Sequence, residues 1–220
     1  LLHGQFADVS LIRQHIGLLK SAPTRDLIIG ILLETYHFVR LSTRHIGAAI
    51  NSAEDDFAAG LLSRYLTEEY SHYSLIATCL RKLGLAEEHI VTAHPLIGTA
   101  SLVSMFSDVA RSSTLGYLCC LNLIEMRSED LAEAEDAWVD IARKANLPPD
   151  TFSGLLQHMQ TDVNSGHSDL LETWLQEIRI LPPRVHTRRQ TICTILSTLS
   201  INIMTKLFNI TRTFQTTFHG

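Results

Sequence analysis

The stretch Leu66–Leu75, LTEEYSHYSL, decides how the rest of the chain is read. It holds no proline or glycine, and it predicts helix from end to end. On a helix Glu69 and His72 stand about 300° apart, so both side chains leave one face. A carboxylate and an imidazole held that way are two ready ligands for one borderline ion such as iron, manganese or zinc. Glu-x-x-His on an inward helix face is the spacing used by helical bundles that hold two metals between carboxylates. Taken alone, the pair is also what a solvated helix face looks like. Its weight depends on what other segments add.

Composition sets the frame. The chain has 220 residues, 45% hydrophobic and 19% charged, with a net charge of −5, enough for one domain with a buried core. Mild acidity argues against nucleic-acid binding, which needs a basic stripe. Six prolines and eleven glycines gather at a few junctions and leave long uninterrupted segments, as an all-α fold requires. Cys79, Cys119, Cys120 and Cys193 form no Cys-x-x-Cys pair and lie in apolar helical context, so they read as core residues of a cytoplasmic, reducing compartment. Charges, Asn or Arg break the apolar runs before they reach membrane-spanning length.

Outward from the opening stretch, the helix that carries it starts at Ser52-Ala-Glu54-Asp55-Asp56 and stops at Lys82-Leu83-Gly84. Before it, Leu1 to Ser21 is amphipathic, and a long helix runs from Pro23 to about Asn51. That helix repeats the motif as Glu34 and His37, behind Ile31-Leu32-Leu33. A glutamate there must be paired, protonated or metal-bound; the pair could also simply bond each other. A loop with His89, His94 and Pro95 follows, then one long apolar helix from Leu96 to about Arg127, kinked near Gly116, which carries Glu125 and could feed a homodimer interface. Ser128 to Ala145 is an exposed helix with Leu131, Ala134, Trp138 and Ile141 on its apolar face. Leu147-Pro148-Pro149-Asp150 breaks the chain and caps a helix that puts His158 and Asp162 four apart on one face. Asn164-Ser165-Gly166 should disturb it just before His167. A last helix begins near Arg184. The result is about seven helices in a single domain over residues 1–220.

Separate helical segments thus aim ionisable groups into apolar surroundings: Glu34 with His37, Glu69 with His72, Glu125, and His158 with Asp162 and His167. Buried and unpaired, such groups cost several kcal/mol each, on the order of what a domain can spare. A shared metal centre accounts for them together. Carboxylate-rich, mixed nitrogen and oxygen donors suit iron or manganese better than zinc, and this many donors suit two ions.

With these residues in view, the chain resembles the haem-oxygenase-like di-iron oxidases and oxygenases. Glu69-x-x-His72 matches the first element of that family's pattern. Glu125, 53 residues after His72, matches the lone glutamate, and His158 with Asp162, 33 residues further on, matches the start of the last element. The final histidine of the pattern should fall at Ser165, yet the nearest is His167. On a regular helix Asp162 and His167 are about 140° apart and could not share an ion. Either the Asn164–Gly166 segment unwinds and returns His167, or Glu34 or His37 completes the second site.

The resemblance implies an all-α haem-oxygenase-like bundle and an oxidoreductase with two Fe(II)/Fe(III) ions, O2 as co-substrate and an external reductant. The substrate would be a small amino-acid-like molecule, oxidised at nitrogen, cleaved at a C–C bond or converted to a nitrile, a tryptophan-type amino acid being one case. Arg184 and Arg188 are candidates for its carboxylate. Three alternatives remain. A haem enzyme would need a histidine near the chain start, His3 or His15. A metal-free relative of the thiaminase or quinone-cofactor-oxidase type shares the bundle. A non-catalytic helical binding domain would hold no stoichiometric iron.

Overall fold

Thr24 starts the first long helix. Its backbone is extended, and its hydroxyl accepts from Leu27 N at 3.2 Å, satisfying one of the free amides of the helix start. From there α1 runs over Arg25–Asn51, and it buries Ile28, Leu32, Tyr36, Val39, Ile46 and Ala49 at three- and four-residue spacing. The computed structural model describes residues 17–125 and 128–179. These hold, beside a helical stretch over 17–21, nine α-helices and one 3-10 turn: α1, α2 (Asp56–Glu69), α3 (Tyr73–Lys82), α4 (Glu87–Thr92), α5 (Ile97–Ser112), α6 (Thr114–Ile124), α7 (Ser128–Lys144), α8 (Ser153–Ser165), the turn His167–Asp169 and α9 (Leu170–Arg179).

The all-α class is as the sequence indicates; the helix count is higher than seven for identifiable reasons. The helix expected over Ser52–Gly84 is two, because the chain makes a tight turn at Tyr70–His72. The helix expected from Leu96 to Arg127 is also two. Ser113 is extended, and its hydroxyl caps α6 by accepting from Gly116 N at 3.0 Å. The break therefore falls three residues before Gly116. The supposed loop around His89 contains α4, with Glu87 and Glu88 in its first turn.

The chain divides into two compact units, Leu18–Trp174 and the two chain ends, Leu1–Gly17 with Leu175–Gly220. In the first, α1 packs against α5, α2 and α3, while α8 lies on α3 and α7. Ile28, Leu32, Tyr36, Ile76, Leu80, Phe152 and Met159 share one core, closed by Leu131, Ala134 and Trp138 of α7. Losing such a buried Leu or Ile side chain to alanine costs roughly 2–5 kcal/mol.

The contact between α8 and α3 is unusually close. A Cβ at Gly154 would stand 2.1 Å from the carbonyl oxygen of Leu75, and Leu155 N lies 3.2 Å from Cys79 Sγ. Only glycine permits that approach, which sets α8 and its His158 and Asp162 beside α3. Within the described residues no helix is long and apolar enough to cross a membrane.

Candidate metal centre

The break in the helix at Tyr70–His72 shapes the first half of the site. His72 N bonds Glu69 O at 3.2 Å, Ser74 N bonds Ser71 O at 3.0 Å and Leu75 N bonds His72 O at 3.0 Å. These are three-residue bonds, and three residues per turn eclipse the side chains of i and i+3. Glu69 and His72 therefore line up more closely than an α-helix would allow, with His72 Nδ1 2.9 Å from Glu69 Oε1. Both residues are buried, whereas Tyr70 between them faces out.

The second half comes from α8 and the turn after it. His158 Nδ1 lies 2.9 Å from Asp162 Oδ2, one turn along α8. Gly166 then ends the helix in the left-handed region, with φ +68° and ψ +34°. That residue reverses the chain and brings His167 back toward Asp162, with Nδ1 of His167 3.4 Å from Asp162 Oδ1 and 3.2 Å from Glu69 Oε1. Asn122 of α6 holds this turn by donating to Ser168 O at 2.8 Å. Glu125, the C-terminal cap of α6, places Oε2 3.6 Å from His167 Nδ1.

Six residues that the sequence singled out thus converge: Glu69, His72, Glu125, His158, Asp162 and His167. Among the described residues, two groups have donor atoms within 4.8 Å of one another: Glu69, His72 and His158, and Glu69, Asp162 and His167. Glu69 belongs to both. Glu34 and His37 are in neither. The Glu34 carboxylate caps α5 from a neighbouring helix, accepting from Leu96 N at 3.1 Å and from the Thr99 hydroxyl at 2.5 Å. Leu96 has no capping side chain of its own, so Glu34 supplies the negative end that the helix N-terminus favours. His37 is buried, with Nε2 unpartnered and its ring edge-on to Tyr36. Arg184 and Arg188 lie outside the described residues, as do His3, His15 and Cys193.

Two contributors escape the spacing rules. Tyr65, one turn before Glu69, donates its hydroxyl to Glu125 Oε1 at 2.5 Å and sets its ring edge-on to His167 at 4.8 Å. Glu68 accepts from His167 Nε2 at 2.9 Å. Tyr65, Glu68 and Glu69 are spaced i, i+3, i+4 on the last turn of α2, the pattern of a single helix face. That spacing is legible in the sequence; that the face meets His167 is not.

The electrostatics of the metal-free cluster are strongly coupled. Burial disfavours a charge on His167, but Asp162, Glu125 and Glu69 outweigh it and lift its pKa to about 12. The negative carboxylates of Asp162 and then Glu69, close to its ring, raise His72 to about 9. Asp162 is held well below the usual carboxylate range, its burial outweighed by His158, His167 and His72. Burial works against a charge on Glu69 too, yet His167 and His72 lower it, while burial pushes Glu125 up. Protons on the histidines thus balance the carboxylates, the role a cation also fills.

Three buried atoms of the cluster have no hydrogen-bond partner: Glu69 Oε1, His72 Nδ1 and His167 Nδ1. Their mutual distances are short, yet their angles make no hydrogen bond. Unpartnered buried donors and acceptors are rare. Here they converge in one place, as atoms aimed at a common ion would. The oxygen and imidazole donor set suits iron, manganese or zinc. By contrast, burial pushes the Cys119 and Cys120 thiols up to about 12 and raises Cys79 as well, which removes the thiolate a nucleophilic cysteine needs.

No family model matches the chain, and no curated protein matches it. A solved structure does: a domain of unknown function with a heme oxygenase-like fold from Shewanella denitrificans OS217. It superposes with a TM-score of 0.64 over 94% of this chain and 87% of that one, at 14% identity. The fold is haem-oxygenase-like. At that identity the likeness speaks for the arrangement of helices alone. Within this haem-oxygenase-like bundle, the acid and histidine cluster is a property of this chain's own residues.

Proposed function

We propose that this chain is an O2-dependent non-haem di-iron oxidase or oxygenase that acts on a small amino-acid-like substrate. The observation that carries the reading is the sharing of Glu69 by two groups of metal-competent atoms, three of which are buried without a hydrogen-bond partner. A carboxylate has two oxygens and can serve two ions at once, as the paired carboxylates of metal-binding helical bundles do. His72 and His158 would complete one site, and Asp162 and His167 the other. Glu125, held by the Tyr65 hydroxyl, would add a further oxygen donor.

Two iron ions held there would supply the reduction of O2 and the oxidation of the substrate, with electrons from an external reductant. The protein's own part is to keep the donors fixed and the site dry. Glu69, Asp162 and His167 are 4%, 5% and 1% exposed, so little water competes for the ions. Arg184 and Arg188 are the proposed partners of a substrate carboxylate. N-oxidation, oxidative C–C cleavage and nitrile formation, including from a tryptophan-type amino acid, are the reactions to examine.

The test is anaerobic Fe(II) loading followed by exposure to O2 with each of the common amino acids present in turn. Oxygen uptake that depends on both iron and one amino acid, and is lost in His72→Ala and His158→Ala, supports the reading. A chain that takes up no iron, or whose oxygen uptake survives both substitutions, is a metal-free bundle instead.

A further inference from the structure

We infer that Glu68 is a positioning residue of this centre: it holds the proton of His167 on Nε2 and so leaves Nδ1 as the atom that binds metal. The inference rests on the metal-binding reading above and assigns a residue that no motif contains.

A neutral imidazole carries one N–H and one lone pair, and a metal takes the lone pair. The nitrogen that keeps its proton needs an acceptor, and the His167 side chain has no exposed surface through which water could supply one. The two nitrogens face different neighbours. Nε2 meets a single carboxylate oxygen, Glu68 Oε2, at 2.9 Å in hydrogen-bond geometry. Nδ1 faces oxygens of Glu69, Asp162 and Glu125 at 3.2, 3.4 and 3.6 Å and bonds none of them. When a metal replaces the second proton, the remaining one therefore belongs on Nε2 and the lone pair on Nδ1.

The local fold explains why Glu68 and not Glu69 has this task. Consecutive helical residues point about 100° apart. The last turn of α2 thus sends Glu69 inward, 4% exposed, and lets Glu68 reach the outer edge of the His167 ring with its side chain 42% exposed. Tyr65 stands edge-on to the ring at 4.8 Å and 90° and packs against it, helping to hold the imidazole in place. Carboxylate–histidine–metal arrangements of this kind fix ring orientation and make the ligating nitrogen more basic.

The experiment measures Zn(II) and Co(II) affinity by equilibrium dialysis for the whole chain and for Glu68→Ala and Glu68→Gln, with melting curves as a check on folding. The second readout is the 15N spectrum of histidine-labelled, Zn-loaded protein. We expect Glu68→Ala to weaken binding by about 10- to 100-fold, the usual cost of losing such a partner. Glu68→Gln, whose amide oxygen can still accept from Nε2–H, should recover most of it. The wild-type spectrum should show His167 protonated at Nε2 and metallated at Nδ1. Unchanged affinity in Glu68→Ala, or metal on Nε2, overturns the inference while leaving the centre intact. Absence of metal from the wild-type chain overturns the metal-binding reading itself, and the inference with it.

Discussion

His167 Nδ1 stands 3.2 Å from Glu69 Oε1, and Gly166 is the residue that puts it there. Asp162 sits on the last turns of α8, and a continued helix would carry His167 around to another face. At φ +68° Gly166 reverses the chain instead. An added Cβ would meet nothing closer than Asp169 Oδ2 at 3.6 Å, so the obstacle to a side chain is conformation and not space. Gly166→Ala should cost about 1–2 kcal/mol and loosen His167. Gly166→Asn, which tolerates the left-handed region better, should cost less. Urea unfolding of the three proteins checks the order.

Gly154 presents the opposite case, in which space is the obstacle. A Cβ there would strike Leu75 O and Leu75 C, which are backbone atoms that cannot move aside alone. Gly154→Ala should force α8 off α3 and destabilise the chain by roughly 1–3 kcal/mol. Because α8 carries His158 and Asp162, metal affinity should fall with it. A variant that melts like the wild type would show that the two helices are not so closely apposed.

Tyr65 donates to Glu125, a carboxylate that burial already drives toward its neutral form. Tyr65→Phe removes that donor and leaves Glu125 Oε1 without it, at a cost of about 1–3 kcal/mol. The Glu125 carboxyl should then titrate higher still. Carbon-detected NMR of labelled glutamate in the metal-free protein would read both the upward shift and its absence.

The metal-free protein should lose stability as pH rises from neutral. His72 titrates near 9 in the folded chain against an ordinary 6.5, and His158 is raised as well. A histidine whose folded pKa is raised stabilises fully below 6.5, and that contribution disappears as pH climbs through 9. A tenfold gain in proton affinity corresponds to about 1.4 kcal/mol, so the loss is on the order of a few kcal/mol. The depressed carboxylates Glu69 and Asp162 act at the other end, where their contribution is lost only as pH falls below the ordinary carboxylate range. Melting temperatures of apoprotein between about pH 6 and pH 9.5 should decline, and His72→Gln should flatten the decline.

The sequence carries the helical class plainly, because Pro23, Pro95, Pro148 and Pro149 fall between helices and apolar residues recur at helical spacing, although Gly30, Gly47 and Gly60 lie inside helices. It also singles out the six residues that converge, through the three- and four-residue spacing of Glu69 with His72 and His158 with Asp162, the apolar setting of Glu125, and the place of His167 just after Gly166. Its failures have a common cause. Tyr70-Ser71-His72 holds no helix breaker, so the turn that eclipses Glu69 and His72 leaves no mark in composition. Glu34 shares the Glu-x-x-His spacing of Glu69, yet its carboxylate ends at the head of α5 because α1 and α5 pack together. Tyr65 and Glu68 matter through Glu125 and His167, partners brought near by tertiary structure. Local pattern identifies which groups must be satisfied; which partner satisfies them is decided by packing.

The most direct test of the account is the number of Fe(II) ions bound per chain under anaerobic titration, in wild type and in Glu69→Ala. A carboxylate shared by both groups predicts about two ions for the wild type and neither held tightly once Glu69 is gone, with His158→Ala and His167→Ala each giving up one. No iron in the wild type, or two ions still bound tightly in Glu69→Ala, would contradict it.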